Sequence, residues 1–125
     1  MNPHDLIRSR VTQYLRTIGN GGSADIATLY ADDATVEDPV GSEVHVGRAA
    51  IEKFYGALDG ADCEAELLSL RVAGDTAAFH FRVTTRTVDQ TIVVEPIDVM
   101  TFDDDAKITS MRAIWSPDDL SIRTR

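Results

Sequence analysis

Residues 91–102 read TIVVEPIDVMTF, and the placement of this run decides the fold. Side chains of an extended segment alternate between two faces, so Ile92, Val94, Asp98, Met100 and Phe102 share one face. The spacing and composition predict a strand in a sheet with a buried face. Asp98 is the anomaly, because it lies on that apolar face between Ile97 and Val99. An ionised carboxylate there is costly unless it is paired, exposed by a bulge, or protonated. No Lys or Arg occupies a neighbouring position on the same strand face. Pro96 interrupts the backbone ladder two residues earlier, which favours an edge position or a bulge. Two readings stay open: a neutral, proton-donating Asp98, or an Asp98 with a cross-strand partner.

On both sides of this run the pattern continues in period two. Residues 76–88 alternate Phe79, Phe81 and Val83 against His80, Arg82 and Thr84. Residues 63–72 and 107–115 are further strands, separated by the turn Gly74-Asp75 and the acidic turn Asp103-Asp104-Asp105. The first half of the chain changes period. Leu6, Ile7, Val11, Tyr14, Leu15 and Ile18 form one helical face over 5–18, started by Asn2-Pro3 and stopped by Gly19-Asn20-Gly21-Gly22. Ser23 caps a short second helix with Ile26, Leu29 and Tyr30 on one side. Ile51, Phe54, Tyr55 and Leu58 predict a third helix over 48–58. Three early helices followed by strands make an α+β domain of one unit, 1–125. Helices laid across one face of a curved, mainly antiparallel sheet enclose a deep apolar pocket open at one end.

Tyr14, Tyr30 and Tyr55 are the only tyrosines, and each is read on an apolar helix face. A buried phenol needs a hydrogen-bond partner, and three converging phenols can bond one another. Residues 36–41, VEDPVG, pose the same question as Asp98. In an extended segment Asp38 shares a face with Val36 and Val40, while Glu37 points away. A local Asp-Pro turn explains this as well as an inward-facing base does. The acidic runs at 32–33 and 103–105 read as solvated surface.

The rest narrows the chemistry. Formal net charge is −9, which speaks against nucleic acid and against an anionic membrane surface. The single cysteine, Cys63, cannot form an internal disulfide and is read as a bystander. His4, His45 and His80 lack metal-ligand spacing, and His80 is expected to be exposed or to face a partner subunit. There is no phosphate-binding glycine loop and no nucleophile elbow. The N-terminus lacks the apolar core of a signal peptide, so a cytoplasmic setting is expected. A base, a neutral acid and phenols around an apolar cavity suit proton abstraction next to a carbonyl, with the enolate oxygen held by hydrogen-bond donors.

Tyr14, "ADDATVEDPVGSE" at 31–43, "FY" at 54–55, "PID" at 96–98 and "SMRA" at 110–113 together give a resemblance over nearly the whole chain. It resembles the bacterial Δ5-3-ketosteroid isomerases, of the cone-shaped nuclear-transport-factor-2-like superfamily. That family is a known case of a carboxylic acid kept neutral by an apolar site so that it can donate a hydrogen bond.

The resemblance implies Asp38 as general base, moving a proton from C4 to C6 of a 3-oxo-Δ5-steroid. It implies Tyr14 and protonated Asp98 as donors to the dienolate oxygen. Tyr55 and Tyr30 match its supporting network, and Trp115 an aromatic residue that hydrogen-bonds the base. Phe81 and Met111 match pocket-lining positions. It further implies a steroid substrate, no metal or organic cofactor, and a homodimer. Other chemistries on the same cone, a polyketide cyclase, an epoxide hydrolase or a non-catalytic steroid carrier, are the alternatives. Segments 59–66 and 84–91 and the C-terminal PDDLSIRTR depart from the resemblance.

Overall fold

A computed structural model describes residues 2–124. The order of elements is α1 (Pro3–Asn20), α2 (Ser23–Ala27), β1 (Tyr30–Glu37), β2 (Val44–Val46), α3 (Arg48–Tyr55), β3 (Asp62–Ala73), β4 (Thr76–Arg86), β5 (Gln90–Val94), β6 (Ile97–Phe102), β7 (Ile108–Ile114) and β8 (Leu120–Thr124), with 3-10 turns at Gly56–Leu58 and Pro117–Asp119. The strands form one mixed sheet in the order β2-β1-β7-β6-β4-β5-β8, with β3 paired to β4. Every pairing is antiparallel except β1 with β7, which run parallel.

Helix α1 begins where Asn2 accepts the Asp5 N–H at 2.8 Å and Pro3 occupies the first turn. It ends at Gly21, whose N–H donates to the Thr17 carbonyl at 2.7 Å. A Cβ at Gly21 would stand 2.9 Å from the Thr17 methyl, so only glycine closes the helix this tightly. Ile7, Val11, Tyr14, Leu15 and Ile18 are its buried face, as the periodicity predicts. They pack on a core that includes Ile26, Val36, Ile51, Phe79, Met100 and Phe102. Each fully buried side chain of this size contributes about 1.5–3 kcal/mol relative to exposure.

The run 91–102 is not one strand. It breaks at Glu95-Pro96 into β5 and β6. Because proline cannot donate to a ladder, β4 changes partner there: Phe79 pairs with Asp98 of β6, and Val83 with Val94 of β5. The Pro96 carbonyl takes up the Phe81 N–H at 3.3 Å. Val94, Pro96 and Asp98, on and beside this switch, line a cavity on the inner face of the sheet.

Three strands lack a clear sequence signal. Tyr30 opens β1 and does not lie on a helix; α2 stops at Ala27. The run YADDATVE is too polar to read as a strand, yet Tyr30, Ala34 and Val36 are its buried positions. β2 has three residues, and β8 has an exposed pattern. Helix α3 stops at Tyr55, and Leu58 lies in the 3-10 turn that follows. No helix among the described residues is long and apolar enough to cross a membrane.

Candidate active site

The cavity is about 250 Å³ and is bounded by α1, α3 and the inner faces of β4, β5 and β6. Tyr14, Tyr55, Asp38, Asp98, Trp115 and Phe81 all line it. Three elements and two loops therefore deliver these polar groups to one apolar chamber, and β4 adds Phe81 to its wall.

Asp98 is 1% exposed, and neither carboxyl oxygen has a hydrogen-bond partner among the described residues. Its register neighbours are Phe79 on one side and Ala113 on the other, so no cross-strand cation compensates it. Burial first, and then the charge of Asp38, push its carboxyl well above the usual carboxylate range. The protonated form is the one this site stabilises, and that form carries an O–H to donate.

Tyr14 reaches the same chamber from α1. Its hydroxyl lies 2.8 Å from that of Tyr55, which lies 2.7 Å from that of Tyr30. When Tyr30 donates to Tyr55 and Tyr55 to Tyr14, the Tyr14 proton stays available to a ligand, and each bond polarises the next. Burial raises the pKa of all three phenols well above the ordinary value, so they remain neutral donors. The Tyr14 ring stands edge-on to Phe79 at 6.3 Å, next to the residue that pairs with Asp98.

Asp38 has different surroundings. It leaves the end of β1, where Val36 is buried and Glu37 turns outward to bond Arg112 Nε and the Gly41 N–H, each at 2.9 Å. Val40 does not follow Val36 inward; it is 40% exposed. Its N–H donates to the Ala113 carbonyl at 2.8 Å, which fastens the loop to β7. The Asp38-Pro39 bond is cis. The Trp115 indole N–H donates to Asp38 Oδ1 at 2.7 Å. Burial raises the Asp38 pKa, while the indole hydrogen bond and, after it, the nearby His45 pull it down. Asp38 is only partly buried and keeps a donor for its charged form, so of the two acids it is the one whose carboxylate is supported.

Two other positions differ in kind. Phe81 lines the cavity, as the resemblance implies. Met111 is buried between Val36 and Met100, in the core behind the cavity wall. His45, whose spacing suits no metal, faces Val36 across the β1–β2 pair and packs its ring on Phe54 at 4.7 Å. Only the short β2 brings it there.

Residues 11–111 match the SnoaL-like domain model. The chain is 57% identical over 116 residues to a protein of Nocardioides simplex named Steroid Delta-isomerase, covering 93% of this chain and 94% of that one. The chain belongs to the SnoaL-like family. Within that fold it is also similar to a solved epoxide hydrolase/cyclase-like enzyme, SalBIII, described as having a role in pyran ring formation in the polyether salinomycin. That likeness has a TM-score of 0.87 at 26% identity, over 95% of this chain and 97% of that one. The SnoaL-like cone places helices over a large mixed sheet, and the α+β architecture expected from the periodicity is the one observed.

Proposed function

We propose that this protein is a steroid Δ-isomerase that converts 3-oxo-Δ5-steroids to their 3-oxo-Δ4 isomers. The observation that carries the chemistry is Asp98, a buried carboxyl with no partner, in one cavity with the Tyr14 hydroxyl and with an Asp38 held by Trp115. The 57% identity to a protein named Steroid Delta-isomerase supports the substrate class. The likeness to the epoxide hydrolase/cyclase-like enzyme rests on 26% identity and weighs less.

In this reading the Asp38 carboxylate removes a proton from C4 of the bound ketone. The C–H electrons form the C3–C4 double bond, and the C3 carbonyl electrons move onto oxygen. The Tyr14 and Asp98 O–H groups donate to that oxygen and hold its charge where water is excluded. Asp38 then returns the proton to C6, the carbonyl re-forms, and the remaining double bond lies between C4 and C5. The proton that leaves the substrate comes back to it, so the reaction consumes no co-reactant and requires no metal or organic cofactor. Phe81 and the neighbouring apolar wall pack against the rings.

The protein is further proposed to act as a cytoplasmic homodimer. Ile97 and Ile114 stand opposite each other on the outer face of the sheet, 45% and 53% exposed. His80, which pairs with Ile97, reaches Glu95 at 3.3 Å beside them. Sedimentation of the protein and of an Ile97→Glu/Ile114→Glu variant tests this, and a monomeric parent protein overturns it.

The activity is tested by mixing the purified protein with 5-androstene-3,17-dione and following the ultraviolet absorbance of the conjugated product, with Asp38→Asn alongside. Rapid conversion that the substitution abolishes supports the reading. A folded protein that binds steroids without converting them excludes it.

A further inference from the structure

Among the described residues, one polar side chain on the cavity wall belongs neither to the Asp38–Trp115 pair nor to the group of Tyr14, Tyr55 and Asp98. It is Thr85. It lies on β4 on the same face as Phe79, Phe81 and Val83. Phe79 marks the Asp98 end of that wall, because the two residues pair. From Phe79 to Thr85 the strand advances about 20 Å at about 3.3 Å per residue. Phe81 and Val83, between them, line the cavity with apolar surface only. The wall thus has hydrogen-bond donors at one end, a greasy middle and a single hydroxyl at the other. Hydrogen bonds of about 2.8 Å at each end, and the reach of the side chains themselves, take up part of that length, which leaves room between the two ends for a fused four-ring skeleton.

The Thr85 hydroxyl is held but not used up. Its register partner in β3 is Cys63, and Thr85 Oγ1 lies 3.1 Å from the Cys63 Sγ. A thiol is a weak donor and a weak acceptor, whereas a threonine hydroxyl has one proton to give and two lone pairs. Cys63 is buried, so the contact orients the hydroxyl without competing strongly for it. The branched side chain is also stiff about χ1. Both residues fall in segments 59–66 and 84–91, where the chain departs from the family resemblance.

We propose that Thr85 hydrogen-bonds an oxygen at the end of the substrate remote from the reacting ketone, and so selects steroids that are oxygenated on or beside the five-membered ring. Cys63 is its positioning residue. The inference rests on the isomerase reading and names the part of the substrate that reading leaves open.

The test compares two 3-oxo-Δ5-steroids, 5-androstene-3,17-dione and 5-androsten-3-one, which lacks the remote oxygen. The parent protein, Thr85→Val and Thr85→Ser are each assayed on both. Valine keeps the branched shape and deletes the hydroxyl; serine keeps the hydroxyl. Thr85→Val is expected to raise KM for the dione roughly 3–10-fold, with kcat nearly unchanged and with no change toward 5-androsten-3-one. Thr85→Ser is expected to keep the parent's preference. Equal effects of Thr85→Val on both steroids, or none on either, overturn the role of Thr85 while the isomerase reading stands. Failure of the parent protein to convert either steroid overturns the isomerase reading itself, and this inference with it.

Discussion

Asp38 and Asp98 are the same side chain in the same cavity, and the protein treats them in opposite ways. Asp38 sits at the end of a strand, partly buried, with an indole N–H at 2.7 Å. Asp98 sits near the start of β6, between Phe79 and Ala113, with no partner for either oxygen among the described residues. Burial raises both pKa values, but for Asp38 a hydrogen bond opposes it, and for Asp98 the charge of Asp38 adds to it. In the proposed mechanism one acid serves as base and the other as donor, and their neighbours alone make the difference. Each ionisation depends on the other, since a charged Asp38 helps keep Asp98 neutral.

The largest effect should come from removing the base. Asp38→Asn deletes the proton acceptor and keeps the shape, and turnover is expected to fall on the order of 10²–10⁴-fold in the absorbance assay. Activity within tenfold of the parent would mean that the contrast between the acids is not catalytic. Removing a donor comes next. Tyr14→Phe and Asp98→Ala should each lower kcat on the order of 10²–10³-fold. Asp98→Asn retains an N–H donor and should lose less than Asp98→Ala. The reverse order would show that the Asp98 proton is not being donated.

The indole sharpens the comparison from the other side. Because its hydrogen bond lowers the Asp38 pKa, Trp115→Phe should shift the acidic limb of the kcat/KM profile to higher pH. The loss is expected to be roughly tenfold on the acid side and to shrink as pH rises. An unmoved limb would separate Trp115 from the base.

Asp98 also leaves a mark on stability. Its folded pKa is raised, and in the unfolded chain it titrates near about 3.9. Its contribution is then full below the unfolded value and is lost as pH rises toward the folded one. Asp98→Asn abolishes that titration. The difference in Tm, variant minus parent, should become more favourable to the variant by about 3 °C or more between pH 4 and pH 8. A difference independent of pH would place a charge-neutralising partner near Asp98.

The smallest effect concerns the far end of the phenol chain. Tyr30→Phe removes one hydrogen bond, at a cost of about 0.5–1.5 kcal/mol by denaturant unfolding, with kcat changed only a few-fold.

What the residues revealed in one dimension follows the same contrast. Asp98 was legible because period two puts it on an apolar face, and its lack of a partner is the three-dimensional form of that anomaly. The helical faces of α1 and α3 were legible because each carries a clean apolar stripe. The helical pattern misplaces Tyr30, since β1 is polar on its outer side and follows a five-residue helix with no strong stop signal. The break at Pro96 was visible as a proline, but its effect, a change of partner for β4, depends on strands distant in sequence. Glu37 and Asp38 could be assigned to opposite faces by alternation. The exposure of Val40 could not, because the loop after Pro39 is set by a bond to the Ala113 carbonyl. His45 and Thr85 matter through what stands across the sheet from them, which composition and spacing do not report.

The three linked phenols come from α1, β1 and α3. Their hydroxyls meet only when all three elements have docked, so the donor at Tyr14 is in place only in the finished fold. Catalytic competence then becomes a reporter of complete folding. A chain that has recovered its helices but not their docking should be silent in the assay, and the regain of activity after dilution from denaturant should follow the last packing event and none of the earlier ones.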